Sequence, residues 1–200
     1  MSKRPVELED LLRFHVTGDT QIAPDGGAIA FTVRRVDAEK NRYRSRIWLA
    51  DCATRAARPF TAEGHNDSLP RWSPDGSTLA FVSDRDDEKA QIYLLRPNGG
   101  EAEALTNLEE GGIREIAWSP DGTKLAFVSC REPDRELHYY PDVWVLDVPS
   151  GNLAKLTRSL GPSSKPAWSP CGTKIAYCGH TKGEAGGVND DLFVVSLDGS

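Results

Sequence analysis

The sequence has no apolar run that approaches the roughly 18 residues of a membrane-spanning helix. This absence excludes an α-helical membrane protein, and no membrane partner is predicted. Cysteine is scarce as well, with no C-x-x-C pair among Cys52, Cys130, Cys171 and Cys178. A disulfide framework is therefore not predicted, and a reduced compartment is the simpler interpretation. Cys171 and Cys178 flank one predicted hairpin, which leaves a redox pair open as an alternative.

The beginning of the chain lacks the pattern of a secretory signal. The first residues, MSKRPVELEDLLRFHV, pass from two basic side chains directly into a mixed acidic and apolar segment. A signal peptide would place an apolar stretch and a small-residue cleavage site at this position. We therefore expect the protein to be cytoplasmic.

An excess of positive charge is also missing. The sequence holds 24 Lys and Arg against 30 Asp and Glu, a net charge of -6 at pH 7. Proteins that bind nucleic acids usually present a basic face, so no nucleic-acid partner is predicted. One stretch at 34–46, RRVDAEKNRYRSR, is locally basic. Its flanks have the pattern of strands, and we interpret it as a solvated loop.

Motifs of hydrolytic and metal-dependent enzymes are absent too. The sequence has no G-x-S-x-G, and its histidines form neither H-x-x-x-H nor H-E-x-x-H. These histidines, each interpreted as a surface or loop residue, are His15, His65, His138 and His180. The acidic run at 84–89 lacks calcium-loop spacing, and the Gly-rich stretch at 179–190 lacks phosphate-loop spacing. No catalytic, cofactor-binding or metal-binding residue is therefore nominated, and no cofactor is expected.

What the sequence does contain is a repeat. Three close copies and one looser copy are RWSPDGSTLAFVSD at 71–84, AWSPDGTKLAFVSC at 117–130, AWSPCGTKIAYCGH at 167–180 and QIAPDGGAIAFTVR at 21–34. Their turn prolines, spaced 50, 46 and 50 residues apart, are Pro24, Pro74, Pro120 and Pro170. A period of about 40–50 residues with several short strands per unit is typical of β-propeller blades.

Each unit divides into four strands. The first ends in tryptophan, an S-P-D-G turn leads to an apolar second strand, and a variable loop precedes the third. A polar turn then leads to a fourth strand that ends in "LT" or "FT". We predict an all-β fold of four-stranded antiparallel propeller blades, about three and a half in an incomplete ring, after a short N-terminal helix. The predicted bounds are 1–17 for the helix and lead-in, 18–64 for blade 1, 65–110 for blade 2, 111–160 for blade 3 and 161–200 for the incomplete blade 4, a partial propeller over 1–200.

The repeated tryptophans predict contacts between blades. Trp72, Trp118 and Trp168 share one position in their units, next to a turn, which favours packing over a stacking platform for bases. In the first unit Ile22 stands near this position, and in the fourth Cys171 replaces the turn aspartate. Terminal repeats are commonly atypical. The serines before the turn prolines are expected to bond the backbone rather than perform chemistry.

These repeats resemble a known family. The pattern WSPDG…LAFVSDRD…QIYLL…GGEA looks like the TolB-type propeller repeat of the prolyl oligopeptidase family of serine peptidases. The opening, LEDLLRF…TGDTQIAPDGGAIAFTV…RIWLAD, is most similar to the acylaminoacyl-peptidase branch. The resemblance implies a propeller of about seven blades, followed by an α/β-hydrolase domain that carries Ser, Asp and His. It also implies that the propeller limits entry to peptides and small, unstructured substrates.

None of the catalytic residues of that family can be carried over onto this sequence. We therefore expect a non-catalytic, substrate-selecting propeller portion of a longer polypeptide that acts in peptide hydrolysis. The expected partners are a C-terminal α/β-hydrolase domain that is absent here, peptide substrates, and other copies through open blade edges. The alternative is a TolB-like propeller that binds protein partners. A WD-repeat scaffold is disfavoured because the closing W-D dipeptide is missing.

Three loops between second and third strands are predicted to be long, at 34–45, 130–141 and 179–190. Repeat geometry places them on one face, where insertions often form a working surface. The second of these loops contains Arg131, Glu132, Arg135, His138, Tyr139 and Tyr140. We expect this face to lie against the catalytic domain or the path of the substrate.

Overall fold

The computed structural model describes residues 4–5, 7–86, 89–109, 112–131, 140–158, 161–182 and 189–198. Within these ranges a short 3₁₀ helix, Leu8–Arg13, precedes fifteen β-strands. The strands form four antiparallel sheets, three of four strands and one of three, and the described part contains no closed ring. The predicted all-β fold, an open arc of propeller blades, is confirmed. No helix in these ranges has the length and apolar character needed to cross a membrane.

The strands follow the repeat of the sequence. Sheet 1 contains β1 (Val16–Ile22), β2 (Ala28–Asp37), β3 (Arg42–Asp51) and β4 (Ala57–Pro59). Sheet 2 contains β5 (Asp67–Trp72), β6 (Leu79–Asp86), β7 (Lys89–Leu95) and β8 (Glu103–Ala104). Sheet 3 contains β9 (Ile113–Trp118), β10 (Lys124–Ser129), β11 (Asp142–Asp147) and β12 (Leu153–Lys155). Sheet 4 contains β13 (Ser163–Trp168), β14 (Lys174–Gly179) and β15 (Asp191–Ser196).

The first strand of each sheet lies nearest to the axis of the arc. Strands follow one another in chain order within every sheet. The first strands β1, β5, β9 and β13 contact one another in succession, whereas the fourth strands pack principally against the third strand of their own sheet. The chain therefore starts each blade at the axis and moves outward, as in a propeller.

Apolar side chains from both faces of the sheets fill the space between neighbouring blades. On β6, Leu79 and Phe81 belong to the core shared with sheet 1, and Ala80 and Val82 belong to the core shared with sheet 3. All four side chains are buried. Successive residues of a strand point to opposite faces, so a continuous apolar run is required where sheets cover both sides. This explains why the LAFV run is not interrupted by polar residues.

The S-P-D-G turn is stabilised by its own side chains. The Ser73 hydroxyl donates to Asp75 Oδ1 at 2.6 Å and accepts a bond from the Thr78 amide at 3.0 Å. Gly76 takes a φ of 71°, in the left-handed region that favours glycine. The Ser73 hydroxyl and the Ser77 amide hold the pKa of Asp75 down at about 2. The prediction that this serine serves the turn is confirmed.

The repeated tryptophans join neighbouring sheets by hydrogen bonds. Each indole Nε1–H donates to a backbone carbonyl on the first strand of the preceding sheet. The bonds are Trp72 to Gln21 at 3.3 Å, Trp118 to Arg71 at 3.0 Å and Trp168 to Ala117 at 3.0 Å. In all three, the acceptor lies three residues before the turn proline of its own sheet. The predicted packing between blades is confirmed, although the three rings are partly exposed rather than fully buried.

The threonine of each "LT" or "FT" pair fixes the outer strand. Its hydroxyl is buried and accepts a hydrogen bond from a backbone amide of the third strand. These bonds join Ile47 to Thr61 at 3.2 Å, Ile92 to Thr106 at 2.9 Å and Val143 to Thr157 at 3.0 Å. The threonine therefore ends the outer strand at a fixed register, which accounts for its recurrence.

One predicted loop is wrong. Residues 34–45 belong mostly to β2 and β3, which pair over ten residues from Ala28 opposite Asp51 to Asp37 opposite Arg42. Only 38–41 form the turn, where Asp37 Oδ1 accepts a bond from the Lys40 amide at 3.2 Å. The charged residues that suggested a loop lie on strands that extend beyond the core and face solvent in part. The predicted loops at 130–141 and 179–190 fall largely outside the described residues, at 132–139 and 183–188.

Sheet 4 holds a variant of the turn in which a thiol replaces the carboxylate. Cys171 Sγ lies 3.4 Å from Ser169 Oγ and 3.0 Å from Thr173 Oγ1, in the position that Asp121 takes in sheet 3. The Ser169 and Thr173 hydroxyls lower the pKa of Cys171 to about 7, whereas that of Asp121 is held at about 2. The folded state therefore favours the thiolate, and this stabilisation is lost as pH falls through about 7.

Removing one of the indole N–H donors that join neighbouring sheets should lower the stability of the fold. We expect Trp118→Phe to lower the free energy of unfolding by about 1 kcal/mol, because the Arg71 carbonyl loses its partner while a ring remains. Trp118→Ala should cost about 2–3 kcal/mol, less than a fully buried ring would. Urea unfolding measures both. Trp48→Phe is the control, because its indole has no hydrogen bond to a described residue; equal losses at both positions would contradict the assignment.

Restoring the carboxylate in sheet 4 should stabilise the fold in a pH-dependent way. We expect Cys171→Asp to raise the melting temperature by about 2 °C near pH 6, where the thiol is protonated and the carboxylate is ionised. The gain should shrink above pH 8, where the native thiolate already accepts the same bonds. Thermal unfolding from pH 6 to 9 with reductant tests this, with Cys171→Ser as the control. A gain independent of pH would argue against the thiolate interpretation.

Candidate functional site

The innermost strands enclose the candidate functional site, which we call the axial groove. Its volume is about 650 Å³, and residues of β1, β5, β9 and β13 line it together with two turn prolines. The charged lining residues are Arg71, Glu115 and Lys165, and the indoles of Trp72 and Trp118 lie beside them. The inter-sheet hydrogen bonds of these two tryptophans therefore form part of the groove wall.

A bulge recurs on every strand that reaches the groove. One residue, five positions before each turn proline, has a left-handed backbone with φ between 45° and 53°. These residues are Asp19, Leu69, Glu115 and Lys165. The register of the first and second strands shifts at each of them. A bulge bends a strand and redirects its side chains, so it shapes the wall of the groove. The residue types share no feature, and sequence reasoning missed them.

Charged groups in the groove are paired between neighbouring blades. Arg71 Nη1 donates to Asp19 Oδ1 at 2.8 Å and to the Pro70 carbonyl at 2.7 Å. The Glu115 carboxylate accepts a hydrogen bond from the backbone amide of Lys165. These contacts fix both carboxylates, whereas the Lys165 side chain is exposed. The groove can therefore position a ligand by charge and shape, and its paired carboxylates are held as structural groups.

Two of the four histidines interpreted as surface or loop residues share a pocket. His15 and His65 line one small pocket on sheet 1, although 50 residues separate them in sequence. His180 lies elsewhere, next to Gly161, and His138 falls outside the described residues. Within the described ranges no group of three or more His, Cys, Asp or Glu side chains could hold a metal ion.

The other candidates from the sequence have structural roles or stand alone. In the acidic run, Asp84 accepts two bonds from Asn66 at 2.7 Å each, and Asp86 accepts one from the Tyr93 hydroxyl. Residues 87 and 88 fall outside the described ranges. Cys171 and Cys178 are both free thiols. The first lies in the turn and the second near the far end of β14, a separation beyond the span of a disulfide.

Comparison with known proteins gives a family and one curated relative. The family model of the TolB β-propeller domain matches residues 14–129. An uncharacterized peptidase of Bacillus subtilis strain 168, YuxL, is 39% identical over 109 residues. Those residues are 54% of this chain and 17% of YuxL, so the chain spans less than a fifth of its curated relative.

Solved structures agree on the fold. TolB from Acinetobacter baumannii matches with a TM-score of 0.64 and 21% identity, over 92% of this chain and 53% of that one. Acylaminoacyl peptidase from Pyrococcus horikoshii matches with a TM-score of 0.70 and 18% identity, over 94% and 32% of the two chains. The β-propeller domain of the Trilobed protease from Pyrococcus furiosus matches with a TM-score of 0.65 and 20% identity, over 92% and 55%.

The sequence and the structure lead to one family. The repeated W-S-P-D-G turns, the four sheets that start at a common axis and the indole bonds between blades are those of a propeller. The family model covers more than half of the chain. The protein therefore belongs to the TolB β-propeller domain family.

Proposed function

We propose that this chain is the non-catalytic propeller portion of a serine peptidase of the prolyl oligopeptidase family, of acylaminoacyl-peptidase type. In this proposal the propeller restricts which peptides reach an α/β-hydrolase domain elsewhere in the polypeptide. The observation that carries it is the 39% identity to a peptidase within the propeller itself. The similarity of the fold to acylaminoacyl peptidase and to the Trilobed protease propeller supports the same choice.

The axial groove supplies a physical basis for selection. Its walls are strands held together by inter-sheet hydrogen bonds and by the Asp19–Arg71 ion pair, so its width is set by the fold. Folded proteins would be excluded by size, and a single extended peptide would be admitted. The exposed Lys165 side chain adds a positive charge that favours acidic peptides.

The alternative is a TolB-like propeller that binds protein partners. Support for it comes from the family model and from the fold shared with TolB of Acinetobacter baumannii. Both proposals use the same sheets and the same groove, and they differ in whether a hydrolase belongs to the same polypeptide. The size and the reactivity of the native protein therefore discriminate between them.

The first experiment measures the intact mass of the native protein in its own cells, with an antibody against this chain. We expect a species that is several hundred residues longer than this chain of 21.9 kDa. It should react with a fluorophosphonate probe for serine hydrolases and cleave acyl-peptides. A species near 21.9 kDa that does not react would refute the peptidase proposal and favour the binding module.

The proposed selection of peptides by the axial groove is tested in that larger species by reversing one charge in the groove. We expect Lys165→Glu to lower kcat/KM for acidic peptides about 3- to 10-fold relative to neutral ones, because the groove loses its attraction for them. Lys174→Glu is the matched control, since Lys174 is also exposed on the same sheet and does not line the groove. Equal effects of the two variants would show that substrates do not pass through the groove.

We also propose that the isolated chain associates with itself through the two ends of the arc. Ile22 on β1 is 64% exposed, and Leu192 and Val194 on β15 are 71% and 62% exposed. An apolar end face with an open strand edge favours contact between copies. Sedimentation velocity at rising concentration should show species larger than the monomer. The Leu192→Lys/Val194→Lys variant should remain monomeric, whereas Tyr43→Lys on the β2–β3 hairpin should not change association.

A further inference from the structure

Sheet 1 contains a small pocket that is separate from the axial groove. It lies at the end of the sheet opposite to the A-P-D-G turn at 23–26, where β2 and β3 extend beyond the core. Its volume is about 80 Å³. The lining residues that matter here are Arg35, Arg44, Arg46, Trp48, His15 and His65. We call it the arginine pocket.

The arginines of the pocket share one face of the hairpin. Arg35 on β2 lies directly opposite Arg44 on β3, and Val33 lies opposite Arg46. Two residues further along β3, Trp48 points to the same face. Like charges placed directly opposite on neighbouring strands are destabilising. An arrangement that costs stability in this way is expected where a ligand compensates for it.

Three arginines and one carboxylate, that of Glu63, line the pocket, and two further carboxylates lie within 4.0 Å of Arg44. Arg35 forms an ion pair with Glu63. Arg46 donates to the uncharged carbonyl of Thr61 and has no carboxylate partner among the described residues. Among the residues that line the pocket, arginines therefore outnumber carboxylates.

Arg44 lies near two carboxylates but forms a hydrogen bond with neither of them. Its side chain is 14% exposed, and the nearest carboxylate oxygens, Asp37 Oδ2 and Asp84 Oδ2, lie at 3.9 and 4.0 Å. Both distances exceed a hydrogen bond, and Arg44 forms no hydrogen bond with another described residue. Asp84 is already engaged by Asn66. The guanidinium of Arg44 therefore keeps donors that no hydrogen bond within the described residues uses, and an anion that enters the pocket can accept from them.

We infer that the arginine pocket binds a carboxylate group presented by a peptide. The planar guanidinium matches a carboxylate through two parallel hydrogen bonds, and a volume of about 80 Å³ admits one such group. Trp48 and Val33 form an apolar wall for the adjoining part of the ligand. Binding of the carboxylate follows from the pocket alone, whereas the choice of a peptide rests on the proposed function.

The binding test uses the purified 200-residue chain at low ionic strength. The probes are acetyl-trialanine with a free terminal carboxylate, its C-terminal amide, and acetyl-Ala-Glu-Ala amide, whose only carboxylate is on the side chain. By calorimetry, we expect at least one carboxylate probe to bind about tenfold or more tightly than the uncharged amide. The probe that binds identifies the source of the carboxylate. Equal affinity for all three, or tighter binding of inorganic phosphate than of any peptide, would overturn the inference.

Variants separate a ligand-binding role of Arg44 from a structural one. We expect Arg44→Gln to weaken binding of the carboxylate probe about tenfold or more while the melting temperature stays constant or rises, because the repulsion from Arg35 is relieved. Arg34→Gln, on the other face of the same hairpin, should leave affinity unchanged. Arg46→Gln is a second variant with a comparable expected loss. A lower melting temperature with unchanged affinity in Arg44→Gln would overturn the inference.

These results are independent of the peptidase proposal. The affinities are measured without a catalytic domain, so an inactive parent protein would not contradict carboxylate binding by the pocket. Conversely, a pocket without preference for carboxylates would leave the intact mass and the probe reactivity of the parent unaffected.

Discussion

The structure depends on the hydrogen bond between a tryptophan of one blade and a backbone carbonyl of the preceding blade. The indole of Trp118 reaches the Arg71 carbonyl, and equivalent bonds join the other neighbouring blades. Each sheet has apolar residues on both faces and cannot cover them alone. Because every bond uses the same two positions of the repeat, every blade docks on its neighbour in the same register. The turn glycine also lies at this contact between blades, because a Cβ atom at Gly76 would lie 3.5 Å from Pro24 of the preceding blade.

The axial groove is a consequence of this docking. Placing the first strands side by side brings their bulges to a common axis, where Asp19 of one blade can bind Arg71 of the next. The contacts that hold the blades together also engage Asp19 Oδ1 and the Glu115 carboxylate that lines the groove. This division explains how the described part of the chain can shape a passage while its acidic groups serve the fold. Selection by width and charge is the role that we propose for this wall.

The arginine pocket follows a different principle, because a single blade builds it. The long β2–β3 hairpin carries Arg35 and Arg44 opposite each other, and the segment that leads to the next blade closes the pocket. The pocket therefore does not require the ring to be completed. Arg35 and Arg44 repel each other across the hairpin, whereas Asp19 and Arg71 of the neighbouring blades attract each other.

The sequence by itself determined the repeat, the strand order within a blade and the turn chemistry, because strands that follow one another in the chain pair with each other and each turn is built from adjacent residues. It also predicted that Trp118 packs between blades, from its fixed place beside the turn. It could not place the bulges at residues as different as Leu69 and Lys165, since docking between blades rather than residue type selects that backbone. Charge density at 34–45 concealed a hairpin whose pairing becomes visible only in the folded sheet. Tertiary structure alone decided that His15 would share a pocket with residues far along the chain, because these residues come together only when sheet 1 has folded.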